Sequence, residues 1–102
     1  MAIEVNWTTS AIEDISNIAE FISKDSYQYA QIQSERFFKS VEILERFPLL
    51  GKVIPEFSDS DLRELIEGNY RIIYHVITES RIDILTIHHS SRLISSNPLF
   101  RE

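Results

Sequence analysis

The fold is decided by residues 62–89, which read LRELIEGNYRIIYHVITESRIDILTIHH. Leu62–Glu67 has the composition of a strand, and Gly68-Asn69 is a two-residue hairpin turn in which glycine supplies the positive φ. Tyr70–Thr78 is apolar on both faces, which is typical of a central strand. A second polar turn leads to the last strand, Ile82–His89. The stretch therefore predicts a three-stranded antiparallel meander.

Two amphipathic helices and a short strand precede the meander. Apolar and polar residues alternate from residue 3 to residue 8, which indicates a strand with one buried face. A capping box over Ser10–Glu13 predicts the start of the first helix, and Asp25 or Ser26 is the expected N-cap of the second. Pro48 ends the second helix, because proline disfavours helical geometry in the residue before it. The apolar stripes of the two helices are Ile12, Ile15, Ala19, Ile22 and Ala30, Phe37, Val41, Leu44.

The order of elements is β-α-α-β-β-β, which predicts an α+β fold with a helical hairpin packed on an antiparallel sheet. A chain of 102 residues suffices for a single domain, 1–102, in which residues 90–102 form a polar C-terminal tail. We expect a buried core where the helical hairpin meets the sheet, formed by Ile15, Ile22, Phe37, Val41, Leu44, Ile73 and Leu85.

Composition and charge exclude several classes of protein. The chain is 43% hydrophobic and has no cysteine, which excludes disulfide scaffolds and thiolate metal sites. No apolar run approaches the ~18 residues of a membrane span, and no signal-peptide profile is present, so we expect a cytoplasmic protein. The net charge is −6: residues 1–62 hold eleven acids and five bases, and residues 63–102 hold five of each. An acidic chain is poorly suited to binding nucleic acid through bulk charge.

Four basic side chains on the meander or just after its last strand are the candidates for chemistry: Arg63, Arg71, His89 and Arg92. Arginines around a histidine suit phosphodiester cleavage, because guanidinium groups stabilise phosphate charge while an imidazole moves a proton. The alternative is structural, with Arg71 paired to a helix carboxylate such as Glu42 and His89 satisfied at a strand end. Adjacent strand residues point to opposite faces, so His88 and His89 do not share a metal, and we expect neither metal nor cofactor.

The sequence resembles the RelE/ParE superfamily of bacterial toxins over essentially its whole length. The resemblance is carried by Pro48-x-x-Gly51, by Leu62–Leu65, by the Tyr70-Arg71-Ile72-Ile73-Tyr74 run and by the ending His89-x-x-Arg92. It implies the fold derived above. It also implies the toxin half of a type II toxin–antitoxin, or plasmid stabilisation, module that inhibits growth and has a cognate antitoxin as its partner.

The superfamily divides by target, and the resemblance implies different residue roles in each branch. RelE-like members are endoribonucleases that cut mRNA on the ribosome, and Arg71 matches a position that is catalytic in them. ParE-like members poison DNA gyrase, and the His89-x-x-Arg92 ending is similar to theirs. The region after the last strand departs from the RelE pattern, because residues 90–97 contain one base and no tyrosine.

We therefore expect a ParE-like protein that inhibits DNA gyrase by protein binding, with no membrane association and no sequence-specific DNA binding by the chain alone. Its expected target-binding residues are His89, Arg92, Leu99 and Phe100. The alternative is a ribosome-dependent mRNA endoribonuclease with Arg63, Arg71, His89 and Arg92 as catalytic residues. A further alternative is an inactive homologue that only binds its antitoxin.

Overall fold

The computed structural model describes residues 3–100 and shows two helices packed on a five-stranded sheet. The elements are β1 (Glu4–Trp7), α1 (Thr9–Ser23), α2 (Tyr27–Ser40), β2 (Lys52–Val53), β3 (Leu62–Glu67), β4 (Tyr70–Thr78) and β5 (Arg81–His89). Single 3-10 turns lie at Glu42–Glu45, Ile94–Ser96 and Pro98–Phe100. Within residues 3–100, neither helix is long and apolar enough to cross a membrane.

The α+β class is confirmed, and so is the predicted order of elements apart from the additional two-residue strand β2. The second helix ends at Ser40 and not at Pro48, because the chain changes to a 3-10 turn at Glu42–Glu45. The sheet has the strand order β1-β5-β4-β3-β2. The meander is antiparallel, and Gly68 occupies the hairpin turn with φ 59°. The sheet as a whole is mixed, because β1 lies parallel to β5 with Glu4 opposite Arg81 and Trp7 opposite Ile84. A long helical crossover, and not a tight turn, connects β1 to the rest of the sheet, and such a connection permits parallel pairing.

The start of α1 differs from the prediction. Thr8 is the N-cap, and its Oγ1 accepts a hydrogen bond from the backbone N–H of Ala11 at 3.2 Å. The same hydroxyl donates to the carbonyl of Ile84 at 2.7 Å and so fixes the helix start to β5. The capping box at Ser10 is wrong, because Ser10 already lies within the first helical turn. The second helix begins as predicted, with Ser26 accepting from the N–H of Tyr29.

The main core lies between the helices and one face of the sheet. The predicted residues Ile15, Phe37, Val41 and Leu44 are buried there, whereas Ile22 is only half-buried. The sheet contributes Ile72, Tyr74, Ile82, Ile84 and Ile87 to this cluster.

A second, smaller core covers the opposite face of the sheet and contains Ile54, Leu62, Ile73 and Ile94. Placing Ile73 and Leu85 under the helices is therefore wrong. Ile73 alternates with the helix-facing neighbours Ile72 and Tyr74, and Leu85 follows the helix-facing Ile84 at a register shift. The tail thus packs on the sheet through Ile94 up to residue 100, and residues 101–102 of the predicted domain lie outside the described residues.

Candidate functional site

A cleft of about 400 Å³ lies where α1, the end of β5 and the C-terminal tail meet. The cleft combines apolar side chains with histidine, arginine and amide groups. Its lining residues are Asp14, Asn17, Ile18, Phe21, Tyr70, Ile87, His88, His89, Arg92, Ser96, Asn97 and Pro98. The structure therefore brings two of the predicted site residues, His89 and Arg92, to the same cleft.

His89 is held at the edge of the cleft by its neighbours. Its ring packs edge-on against Tyr70 with a centroid separation of 5.4 Å. Its Nδ1 accepts a hydrogen bond from the backbone N–H of Ser91 at 3.2 Å, and the Ser91 hydroxyl lies 2.6 Å from the same nitrogen. Because an amide N–H can only donate, Nδ1 accepts and the neutral imidazole carries its proton on Nε2. The neutral ring is thus a hydrogen-bond donor at Nε2 and not a base there.

Arg92 brings a permanent positive charge to the cleft, which is also lined by the carboxylate of Asp14. The side chain of Arg92 is exposed, and it forms no ion pair within residues 3–100. Its backbone is fixed on both sides, since its N–H donates to the carbonyl of His89 and its carbonyl lies 3.1 Å from Nε2 of His88. The exposed guanidinium group therefore stands on an anchored backbone, which suits recognition of a carboxylate or phosphate.

A buried polar network joins the tail to β5 and α1. Asn97 donates through Nδ2 to Thr86 Oγ1 at 3.1 Å and to Nδ1 of His88 at 3.2 Å. Asp14 accepts from the Thr86 hydroxyl and, at 3.1 Å, from the backbone N–H of Ile87. Because β1 pairs only with residues 81–84 of β5, Asp14 satisfies backbone that no strand covers at this edge.

Arg71 lies on the opposite face of the sheet from the cleft-facing Tyr70 and is occupied by two carboxylates. It donates to Glu64 at 2.8 to 3.1 Å and to Glu56 at 3.0 and 3.1 Å. The side chains of Arg71 and Glu64 are 11% and 8% exposed. The hydrogen bond from Arg71 lowers the pKa of Glu56, and the bond to Glu56 raises the pKa of Arg71 further above its usual range. Pairing of Arg71 with a carboxylate is thus observed, but with Glu64 and Glu56 and not with Glu42.

Arg63 also has hydrogen-bond partners within the chain. It lies on the helix-facing side of the sheet, opposite Tyr74. Its guanidinium donates to the carbonyls of Ser60, Leu49 and Gly51 at 2.9 to 3.1 Å. Arg63 and Arg71 therefore lie on opposite faces of the sheet, and neither lines the cleft that holds His89 and Arg92. Their predicted catalytic role remains a prediction for the ribonuclease alternative.

The two remaining candidates lie in the tail beyond the cleft. Leu99 is 45% exposed, and its N–H donates to the side-chain oxygen of Asn97 at 3.0 Å. Phe100 packs against Phe57, with 5.1 Å between ring centroids, at the second core. Within residues 3–100, no group of three or more His, Asp or Glu side chains is arranged to hold a metal ion.

Sequence reasoning missed Asp14, Tyr70, His88 and Asn97 as parts of this site. Asp14 is polar beside the apolar stripe of α1, His88 is one of several polar residues at the end of β5, and Asn97 lies in a polar tail. These are weak signals, because the partners lie as far apart as Asp14 and Thr86 in the sequence.

Comparison with known proteins identifies a common family and fold. Residues 5–94 match the profile of the family described as the ParE toxin of the type II toxin–antitoxin system, parDE. The protein named Toxin RelE2 from Caulobacter vibrioides is 27% identical over 90 residues, which cover 88% of this chain and 98% of that protein.

Two solved structures share the architecture. The chromosomal ParDE toxin–antitoxin system from P. aeruginosa matches with a TM-score of 0.71 and 20% identity, covering 86% of this chain and 96% of that chain. The toxin–antitoxin complex RelBE2 from Mycobacterium tuberculosis matches with a TM-score of 0.55 and 23% identity, covering 87% and 99%. At these identities the two structures show that the fold is shared.

Proposed function

The chain belongs to the ParE toxin family of type II toxin–antitoxin systems, and from this membership we propose that it stops growth by binding DNA gyrase. The structural neighbours are toxin–antitoxin complexes, which supports an antitoxin as the partner that neutralises it. In this proposal the chain acts in the cytoplasm as the toxin of a plasmid stabilisation module, and the His89–Arg92 cleft contacts the target protein.

The observation that supports protein binding over RNA cleavage is that Arg63 and Arg71 already have partners within the chain. Cleavage of a phosphodiester needs positive charge aimed at the phosphate as its negative charge develops. Arg71 is neutralised by Glu56 and Glu64, and Arg63 donates to three backbone carbonyls. Arg92 is the only one of the three candidate arginines that reaches the cleft, and the net charge of −6 opposes binding to RNA.

The chemistry of the cleft also suits a protein surface. Ile18, Phe21 and Pro98 supply apolar contact area, and Arg92 supplies a charge that an acidic side chain can pair with. Arginine is one of the residue types that most often supply binding energy in protein interfaces.

The test is a pair of assays with the purified chain. We expect the chain to block supercoiling of relaxed plasmid by gyrase and to leave mRNA intact in a reconstituted translation reaction. Arg92→Ala should raise the inhibitory concentration at least tenfold, which corresponds to about 1.4 kcal/mol of binding energy. Arg46→Ala removes the same charge from an exposed position outside the cleft and should leave inhibition unchanged.

The other outcomes identify the alternatives. Unimpaired gyrase together with ribosome-dependent cuts in mRNA would assign the chain to the endoribonuclease class, as the similarity to a protein named RelE2 allows. Activity in neither assay, with the antitoxin still bound, would indicate an inactive homologue.

A further inference from the structure

The hydrogen bonds that hold the C-terminal tail on β5 all run in one direction, and Asp14 sets that direction. A carboxylate only accepts hydrogen bonds, so the Thr86 hydroxyl donates its single proton to Asp14. Thr86 Oγ1 is then left as an acceptor for the Asn97 side-chain amide, whose nitrogen lies 3.1 Å away. The oxygen of the same amide accepts from the backbone N–H of Leu99 at 3.0 Å. The two ends of the Asn97 side chain are therefore distinguished by their partners, with the nitrogen toward β5.

The orientation of Asn97 in turn fixes the tautomer of His88. An amide NH₂ only donates, so Nδ1 of His88 accepts from Asn97 at 3.2 Å and the neutral ring carries its proton on Nε2. Nε2 lies 3.1 Å from the backbone carbonyl of Arg92 and donates to it. His88 is 5% exposed, and hydrogen bonds shielded from water are electrostatically stronger than exposed ones. One run of hydrogen bonds thus leads from a carboxylate on α1 to the backbone of Arg92.

The position of Arg92 depends on the last of these hydrogen bonds. Within residues 3–100, His88 is the side chain that bonds to the Arg92 carbonyl, and no backbone N–H shares that carbonyl. The next residue, Leu93, is 77% exposed and gives the turn no apolar anchor, and the tail first becomes buried at Ile94. Polar contacts therefore set the direction in which the Arg92 side chain leaves the turn. We call the residues that make these contacts the tail network: Asp14, Thr86, Asn97 and His88.

We propose that the tail network positions Arg92 for binding the target, so that its members are positioning residues that act through Arg92. The side-chain hydrogen-bonding groups of Thr86, Asn97 and His88 already have partners within the chain. What they contribute to binding is the fixed backbone on which the guanidinium group stands. The inference rests on the proposed function for the identity of the target, whereas the tail network itself can be measured in the free protein.

The first experiment uses the free wild-type protein and needs no variant. The nitrogen chemical shifts of a labelled histidine ring distinguish its two neutral tautomers. At neutral pH the ring of His88 should carry a proton on Nε2 and none on Nδ1. A proton on Nδ1 would overturn the proposal, because Nδ1 could then not accept from Asn97.

The second experiment compares two half-buried asparagines. Asn97→Leu removes the central amide of the tail network, and Asn6→Leu removes an amide outside the cleft that donates to Asp83 at 3.2 Å. The readouts are inhibition of gyrase supercoiling and the melting temperature. We expect Asn97→Leu to raise the inhibitory concentration about three- to tenfold, as the loss of one hydrogen bond would. Asn6→Leu should lower the melting temperature by a similar amount and leave inhibition unchanged.

A double-mutant cycle separates positioning from direct contact with the target. If Asn97 acts through Arg92, Asn97→Leu should have no further effect on inhibition in a chain that already carries Arg92→Ala. An equal loss in both backgrounds would overturn the proposal, and so would full inhibition by Asn97→Leu alone. His88→Gln keeps a side-chain N–H that can donate to the Arg92 carbonyl, so it should inhibit more strongly than His88→Phe. Equal inhibition by these two variants would also contradict positioning.

Failure of the proposed function would have a different signature. A wild-type chain that does not inhibit gyrase overturns that function, and the tautomer of His88 still tests the tail network. In that case the backbone resonances of Arg92 should shift in Asn97→Leu and stay in place in Asn6→Leu. Unmoved Arg92 resonances in Asn97→Leu would overturn the proposal.

Discussion

Replacing Arg71 with leucine should destabilise the protein severely. The substitution removes three hydrogen bonds to Glu64 and two to Glu56, and it leaves the Glu64 carboxylate, 8% exposed, without a cation. Removing one partner of a buried pair typically costs about 3–5 kcal/mol. A small domain has roughly 5–15 kcal/mol of total stability, so the expected loss is a large fraction of it.

Urea unfolding followed by circular dichroism measures this loss, and a double variant separates its causes. Arg71→Leu combined with Glu64→Leu removes both charges, so most of the lost stability should return. Glu56→Gln alone should cost at most about 1 kcal/mol, because Glu56 is 39% exposed. The double variant should still arrest growth if Arg71 is structural.

The reasoning is refuted if the free energy of unfolding of Arg71→Leu lies within about 0.5 kcal/mol of the wild-type value, the range typical of surface substitutions. The ion pairs of the guanidinium group would then not stabilise the fold. If the double variant Arg71→Leu/Glu64→Leu is stable but no longer arrests growth, that result supports a catalytic role for Arg71.

Two further predictions concern the loop and the acid range. Gly51→Ala should lower the stability of the fold by roughly 1–3 kcal/mol and so lower the melting temperature. The new Cβ would collide with the Tyr74 hydroxyl and would lie 2.8 Å from the carbonyl oxygen of Glu64. An unchanged melting temperature would contradict this close packing. The lowered pKa of Glu56 means that its contribution to stability is fully present above pH 4.5 and is lost as the pH falls through the lower folded-state pKa. The free energies of unfolding of the wild type and of Glu56→Gln, measured with urea at a series of pH values, should therefore converge at acid pH. A difference between the two proteins that does not change with pH would exclude this contribution.

The two helices, the first strand and the three strands of the meander were predictable from sequence because local patterns specify them, whereas the two-residue strand β2 was not. Alternation, the Gly68-Asn69 turn and the apolar stripes each involve residues close together in the chain. The N-cap of α1 was not predictable from sequence, because the Thr8 hydroxyl also bonds to the carbonyl of Ile84, which lies far away in the sequence. The face of Leu85 depends on a register shift within β5 that no composition signal marks.

The candidate site was predictable only in part. The position of His89 and Arg92 at one strand end follows from their spacing, and the structure brings both to the cleft. The partners of Arg71 were not predictable, because Glu64 becomes its neighbour through strand register and Glu56 through the path of a loop.

The parallel pairing of β1 with β5 also sets an order of events during synthesis. Every residue of β1 pairs with one that lies 77 positions later, as Glu4 does with Arg81. At translation rates of about 5–20 residues per second, β1 waits roughly 4–15 s for its partner strand to be made. Such distant contacts also slow folding once the chain is complete. The edge between β1 and β5 is therefore completed only after residues 81–84 have been synthesised, although β1 is the first strand to be made.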